Sequence, residues 1–131
     1  MSGPVRRRLT LLFGVCGLLL APWIGVLIWQ AHGTAGKRSF DSSWIGLDVL
    51  EAACLLTVAA LLRRDHRATS PAAAATAAVL VMDSWFDGMS AAPRWAYAES
   101  LAMAFFAELP LAAVLAWVSW RTLPPTGSAA P

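Results

Sequence analysis

The sequence predicts an all-α membrane protein: a polytopic four-helix bundle with both termini on the cytoplasmic side. Three observations predict it. A bilayer crossing needs about 20 apolar residues, and such stretches recur four times in 131 residues. Hydrophobic residues make up 58% of the chain and charged residues only 14%, which is not a soluble composition. Most basic residues fall outside the apolar stretches, and more of them on one side than on the other.

Span 1 is expected at residues 9–30, after Arg6, Arg7 and Arg8. A signal peptide has the same basic start, and Ala31-His32-Gly33 is a passable cleavage site. Its apolar region is roughly 7–15 residues long, however; this run is longer and contains Pro22-Trp23, so a retained span is expected. Gly17, Ala21 and Gly25 recur every four residues. Such a small-xxx-small face suits close helix packing, here as a route to a homo- or hetero-oligomer. Chance recurrence in a chain rich in glycine and alanine is the alternative.

A polar loop from Ala31 to Ser43 leads to span 2, expected at residues 44–62. The charged loop Arg63-Arg64-Asp65-His66-Arg67 ends at Ser70-Pro71, and span 3 is expected at 72–91. Pro93 and Arg94 mark a tight connection to span 4, at 95–120. The Pro-, Gly- and Ala-rich tail, 121–131, is expected to be disordered. Four spans nearly exhaust the chain, so one membrane domain is expected and no soluble catalytic domain.

With the N-terminus inside, Arg6, Arg7, Arg8, Arg63, Arg64, Arg67 and Arg121 lie on the inner side, against Lys37, Arg38 and Arg94 outside. That asymmetry follows the positive-inside rule. Trp29, Trp44 and Trp95 then sit near the outer edge, and Trp117 and Trp120 near the inner one.

Several function classes are excluded at this point. A net charge of +2, with basic residues at membrane edges, does not suggest nucleic acid, and no nucleic-acid module is visible. Cys16 and Cys54 lie in different spans with no CxxC, against a thiol–disulfide oxidoreductase. His32 and His66 lie in loops on opposite sides, against a bis-histidine haem. Di-iron bundles use Glu-x-x-His pairs, which are lacking here, and no metal site is expected. Small multidrug exporters place their essential glutamate in the first span, and span 1 has no acid. No cofactor is specified.

The informative residues are six carboxylates inside the apolar stretches: Asp48, Glu51, Asp83, Asp87, Glu99 and Glu108. No basic residue sits at comparable depth. A carboxylate in hydrocarbon costs several kcal/mol, so it faces a bundle interior, finds a partner or stays protonated. At about 1.5 Å per residue, Asp48 and Asp87 lie roughly 6 Å below the outer surface, Glu51 and Asp83 roughly 10–12 Å, and Glu108 roughly 18 Å.

Asp48 and Glu51 share a helix face at i and i+3, with Trp44 and Leu55 on the same side. Asp83 and Asp87 share one at i and i+4, and Thr76 and Ser90 extend that stripe. Such faces point into a bundle. Glu99 and Glu108 are nine residues apart and point to opposite sides. Glu99 reads equally as an interfacial residue or a partner of Arg94. Glu108 precedes Leu109-Pro110, and Pro110 leaves the Phe106 carbonyl without its helical donor. A kink is expected there, as a site feature or as plain packing.

The inference is a cup of carboxylates in the outer half of the bundle, with Glu51, Asp83 and Glu108 deep and Asp48 and Asp87 shallower. Like charges crowded in a poor dielectric cannot all ionise. Acids hydrogen-bonded for helix packing alone are the plainer alternative.

Trp44-Ile45-Gly46-Leu47-Asp48, Asp83-Ser84-Trp85-Phe86-Asp87 and Glu108-Leu109-Pro110-Leu111-Ala112-Ala113 together resemble uncharacterised small four-span membrane proteins of high-GC bacteria. Those carry W-[IV]-G-[FL]-D, D-[AS]-W-F-D and E-L-P-L-A-A motifs. The resemblance covers roughly Trp44 to Trp120. It implies a multi-pass protein of the bacterial inner membrane and marks the acids, but assigns them no role.

Three functions compete. The first is a pocket that binds a proton, a cation or a cationic, amphiphilic small molecule from the outer leaflet, through Asp48, Glu51, Asp83, Asp87 and Glu108 with Trp44 and Trp85. The second is a membrane enzyme acting on a lipid or isoprenoid, with Asp83 or Glu108 as catalytic general acid. Trp85 and Phe86 would then steady a cation through their rings, although lipid-facing or core packing also accounts for them. The third is an accessory subunit of a larger membrane complex. A through-going carrier is disfavoured, because the inner halves of spans 2 and 4 are apolar. Beyond the lipid bilayer itself, the expected partner is therefore a lipid-like or cationic small molecule.

Overall fold

The computed structural model describes residues 1–31, 38–90, 98, 101–102 and 104–124. These form helices α1 (Gly3–Ala31), α2 (Arg38–Arg63), α3 (Thr69–Ser90) and α4 (Leu109–Arg121). A π-helical turn, Ala104–Glu108, leads into α4. No strand occurs among the described residues. The chain is all-helical, as its periodicity predicts.

Three segments are long and apolar enough to cross a membrane: Gly3–Val26, Ile45–Arg63 and Ala104–Arg121. Each helix begins or ends a little beyond its expected span. α1 takes in the three arginines, because arginine is a good helix former and the interface imposes no stop. α2 starts at Arg38, inside the stretch expected to be loop. Pro22 sits within α1, a position more tolerated in membrane helices than in soluble ones.

The α2–α3 connection is tight. Asp65 adopts a left-handed φ of 51°, a conformation Asp tolerates better than most residues. The His66 ring accepts from the Ala68 N–H at 3.1 Å. The His66 carbonyl accepts from the Thr69 hydroxyl at 2.6 Å and the Thr69 N–H at 3.0 Å. Pro71 falls in the first turn of α3, where its missing N–H costs nothing. Arg6 pairs with Asp65 at 2.8 Å and ties the start of α1 to this turn.

Buried residues recur at three- and four-residue steps. On α2 they are Glu51, Leu55, Val58 and Leu62; on α3, Ala73, Thr76, Leu80 and Asp83; on α4, Ala112, Leu115 and Val118. α1 contributes Phe13, with Leu9, Cys16 and Leu20 beside it. That spacing is the seam of a left-handed helical bundle. α1 packs on α2, α2 on α3 and α3 on α4.

Within the α2–α3 pair, the antiparallel register that sets Glu51 beside Asp83 brings Leu55 level with Leu80, Val58 with Thr76 and Leu62 with Ala73. In α1, a Cβ on Gly17 would lie 3.0 Å from Leu56 Cγ and 3.2 Å from the Ala52 carbonyl oxygen. Gly17 therefore serves close packing within this chain. Its expected companions differ: Ala21 is exposed and Gly25 faces open space.

The outside is as apolar as the core. Trp29, Phe106 and Trp120 are all at least three-quarters exposed, and Leu18, Leu19, Met89 and Phe105 are exposed too. Isolated exposed apolar groups are ordinary in soluble proteins, but apolar cover of this extent marks a surface made for another apolar medium.

Candidate functional site

The acidic layer continues the core stripes. On α2 the step from Leu55 back to Glu51 and then Asp48 keeps the same face, and on α3 the step from Leu80 to Asp83 does likewise. Local helix geometry alone therefore aims these carboxylates at the bundle axis. Glu51 is 6% exposed and Asp83 5%, while Asp48 is half-buried.

Oxygens of Asp48, Glu51 and Asp83 all lie within 4.8 Å of one another. Ionised carboxylates only accept hydrogen bonds. Two of them in contact need a shared proton or a cation between them. The same oxygen-only trio is also a donor set that a hard cation would accept.

Glu108 joins from α4. It is half-buried, accepts a hydrogen bond from the Ser84 hydroxyl of α3, and lies near enough to Glu51 to act on its charge. Ser84 Oγ is also 2.9 Å from the Leu80 carbonyl. The expected disturbance at Pro110 takes the form of the π-helical turn that ends on Glu108. An acceptor in a π turn looks five residues ahead instead of four.

Four of the expected residues, Asp48, Glu51, Asp83 and Glu108, thus gather at one end of the α2–α3–α4 core. Trp85 does not enter the cup: it is exposed on the outer face of α3. It lines instead an open apolar groove of about 970 Å³ between α3 and α4, with Val81, Ser84, Phe105, Leu109 and Ala112. Ser84 belongs both to this groove and to the hydrogen bond with Glu108. The side chains of Trp44 and Asp87, and all of Glu99, Pro93 and Arg94, lie outside the described residues.

Sequence reasoning missed Ser84 as a site residue. Its one signal was position, next to Asp83 and between the two acids of span 3. Below the acids the core closes. Leu55, Val58, Leu80 and Leu115 are at most 1% exposed, and Thr76 gives its hydroxyl to the Ala72 carbonyl of its own helix at 2.8 Å.

No known protein family, curated protein or solved structure matches the chain.

Proposed function

We propose that this chain is a multi-pass protein of the cytoplasmic membrane that crosses the bilayer four times, with both termini inside. Its acidic cup binds a proton, a cation or a cationic amphiphile from the outer half of the bilayer. One observation carries the reading. Carboxyl oxygens of Asp48, Glu51 and Asp83 crowd within 4.8 Å in the interior of helices that are otherwise apolar. No Lys, Arg or His occurs in residues 39–62, 68–90 or 95–120. A proton or a cation answers that arrangement; an anion does not.

The groove between α3 and α4 favours a lipid-like ligand over a water-borne one, because it opens sideways onto the apolar exterior and reaches the Ser84–Glu108 contact. The closed leucine and valine core beneath favours a one-sided pocket over a carrier. Purified protein examined by native mass spectrometry, with metal analysis and lipidomics on the same sample, tests the proposal. A retained cation or amine-bearing lipid that is lost in Asp83→Asn supports it. Protein that retains neither, and whose melting temperature responds neither to added cations nor to cationic amphiphiles, leaves the acids with a packing role only.

A further inference from the structure

The three arginines that open α1 do not share one task. Arg6 is half-buried and committed to Asp65 at 2.8 Å. Arg7 and Arg8 are exposed. With Gly3, Pro4 and Leu11 they line a shallow, open groove of about 510 Å³ on the surface of α1. Its lining holds two cationic side chains and no acid.

Arg7 and Leu11 are i and i+4, and Arg8 and Leu11 are i and i+3, so both guanidinium stems run along the line that ends on Leu11. Leu11 is 57% exposed and opens a stretch, residues 11–26, that carries no charged residue. The groove therefore passes from a cationic end to an apolar end along the helix axis. A matching occupant carries its negative charge at the interface and sends a hydrocarbon chain toward the bilayer interior.

We propose that this groove binds an anionic phospholipid. Arg7 and Arg8 hold the phosphate through charge-assisted hydrogen bonds, and Leu11 takes the first methylenes of an acyl chain. Arg63 and Arg64, also exposed, supply a built-in comparison. They lie at the same end of the bundle, which the Arg6–Asp65 pair fixes, but do not line the groove.

The test uses full-length protein in neutral detergent, offered equal phosphatidylglycerol and phosphatidylcholine and read by native mass spectrometry. Phosphatidylglycerol is expected to be retained preferentially. Arg7→Gln/Arg8→Gln is expected to lower that retention roughly tenfold or more. Arg63→Gln/Arg64→Gln is expected to lower it much less. Equal retention of both lipids overturns the proposal, as does equal loss in the two double variants, which would mean diffuse surface charge. Inorganic phosphate displacing the lipid at millimolar concentration would reduce the groove to an anion site and also overturn it. A photoreactive phosphatidylglycerol on the wild-type protein gives a reading independent of folding in the variants. Its cross-link is expected on the peptide from Gly3 to Leu11, and a cross-link elsewhere sinks the assignment.

Discussion

The Ser84 hydroxyl donates to a carboxyl oxygen of Glu108 across the α3–α4 interface. The same oxygen of Ser84 lies 2.9 Å from the Leu80 carbonyl. A hydroxyl carries one hydrogen, so two acceptors face one donor, and a proton on Glu108 would complete the set. Ser84→Ala strips the acid of this partner and should lower stability by about 1–3 kcal/mol, the cost of an under-satisfied buried polar group. Glu108→Gln supplies N–H donors of its own and should stay near wild type. Melting temperatures of both variants in one detergent check the pair. Equal losses would mean that the contact contributes through shape rather than hydrogen bonding.

Close approach of α1 and α2 depends on Gly17. Gly17→Ala sets a methyl group 3.2 Å from the Ala52 carbonyl oxygen, part of the α2 backbone that cannot step aside. Overpacking of this kind costs roughly 1–3 kcal/mol. Gly14→Ala and Gly25→Ala add a methyl group to open space and should leave stability unchanged or slightly higher, since alanine is the better helix former. Thermal denaturation of the three variants side by side tests the contrast. A fall for Gly14→Ala or Gly25→Ala as large as that for Gly17→Ala would show that those faces are covered by a partner helix.

Thr10 Oγ1 in α1 is buried with no hydrogen-bond partner. Replacing an unsatisfied hydroxyl with a methyl group of the same shape relieves desolvation without leaving a void. Thr10→Val should therefore be neutral or stabilising by up to about 1 kcal/mol. A clear loss on thermal melting would reveal that the hydroxyl has a polar neighbour in the membrane.

The four acids now placed on one end of the core were legible in the sequence because each sits at helical spacing from a core residue: Glu51 and Asp48 from Leu55, Asp83 from Leu80, Glu108 from Ala112. Spacing alone shows which residues share a face. It does not show how two helices are offset along their length, so the meeting of Asp48 and Glu51 with Asp83 needed the antiparallel register. The role of Ser84 needed the neighbouring helix as well, because a serine beside an acid has no pattern of its own. Trp85, expected either in the pocket or packed against lipid or core, lies two residues past Asp83, which on a helix turns it about 200° away from that acid, and it lines the open groove between α3 and α4. Helix ends were the least legible. Arginine and serine are compatible with helix, and their polarity at Arg6–Arg8 and Arg38–Ser43 reports the membrane edge, not the end of the hydrogen-bonded ladder.

Crossing direction remains a proposal with a direct test. Single cysteines at Ser2 and Gly127, in a background where Cys16 and Cys54 are replaced by alanine, should resist a membrane-impermeant thiol reagent in intact cells and react after permeabilisation. Both should behave alike, since an even number of crossings returns the chain to its starting side. Labelling of either site from outside would overturn the inward orientation, and opposite behaviour of the two would rule out four crossings.

The acid cup makes the sharpest prediction. Oxygens of Glu51 and Asp83 lie within 4.8 Å of each other, a proximity that two ionised carboxylates resist and that a proton or a cation between them relieves. Asp83→Asn carries a donor N–H at nearly the same size. If a proton fills the gap, the variant should fold and melt near wild type, because the amide N–H takes its place. If a cation fills it, Asp83→Asn removes one of its ligands: a cation-dependent rise in melting temperature seen in wild type should vanish, while stability without added cation is kept. Asp83→Leu separates both cases from simple packing. It leaves Glu51 without that partner in a buried site, and should cost more than Asp83→Asn by about 1–3 kcal/mol. Wild type, Asp83→Asn and Asp83→Leu melted across a cation titration would discriminate the outcomes. Equal stability of all three, with no response to any cation, would remove the shared site and leave α2 and α3 held together by the leucines beneath it.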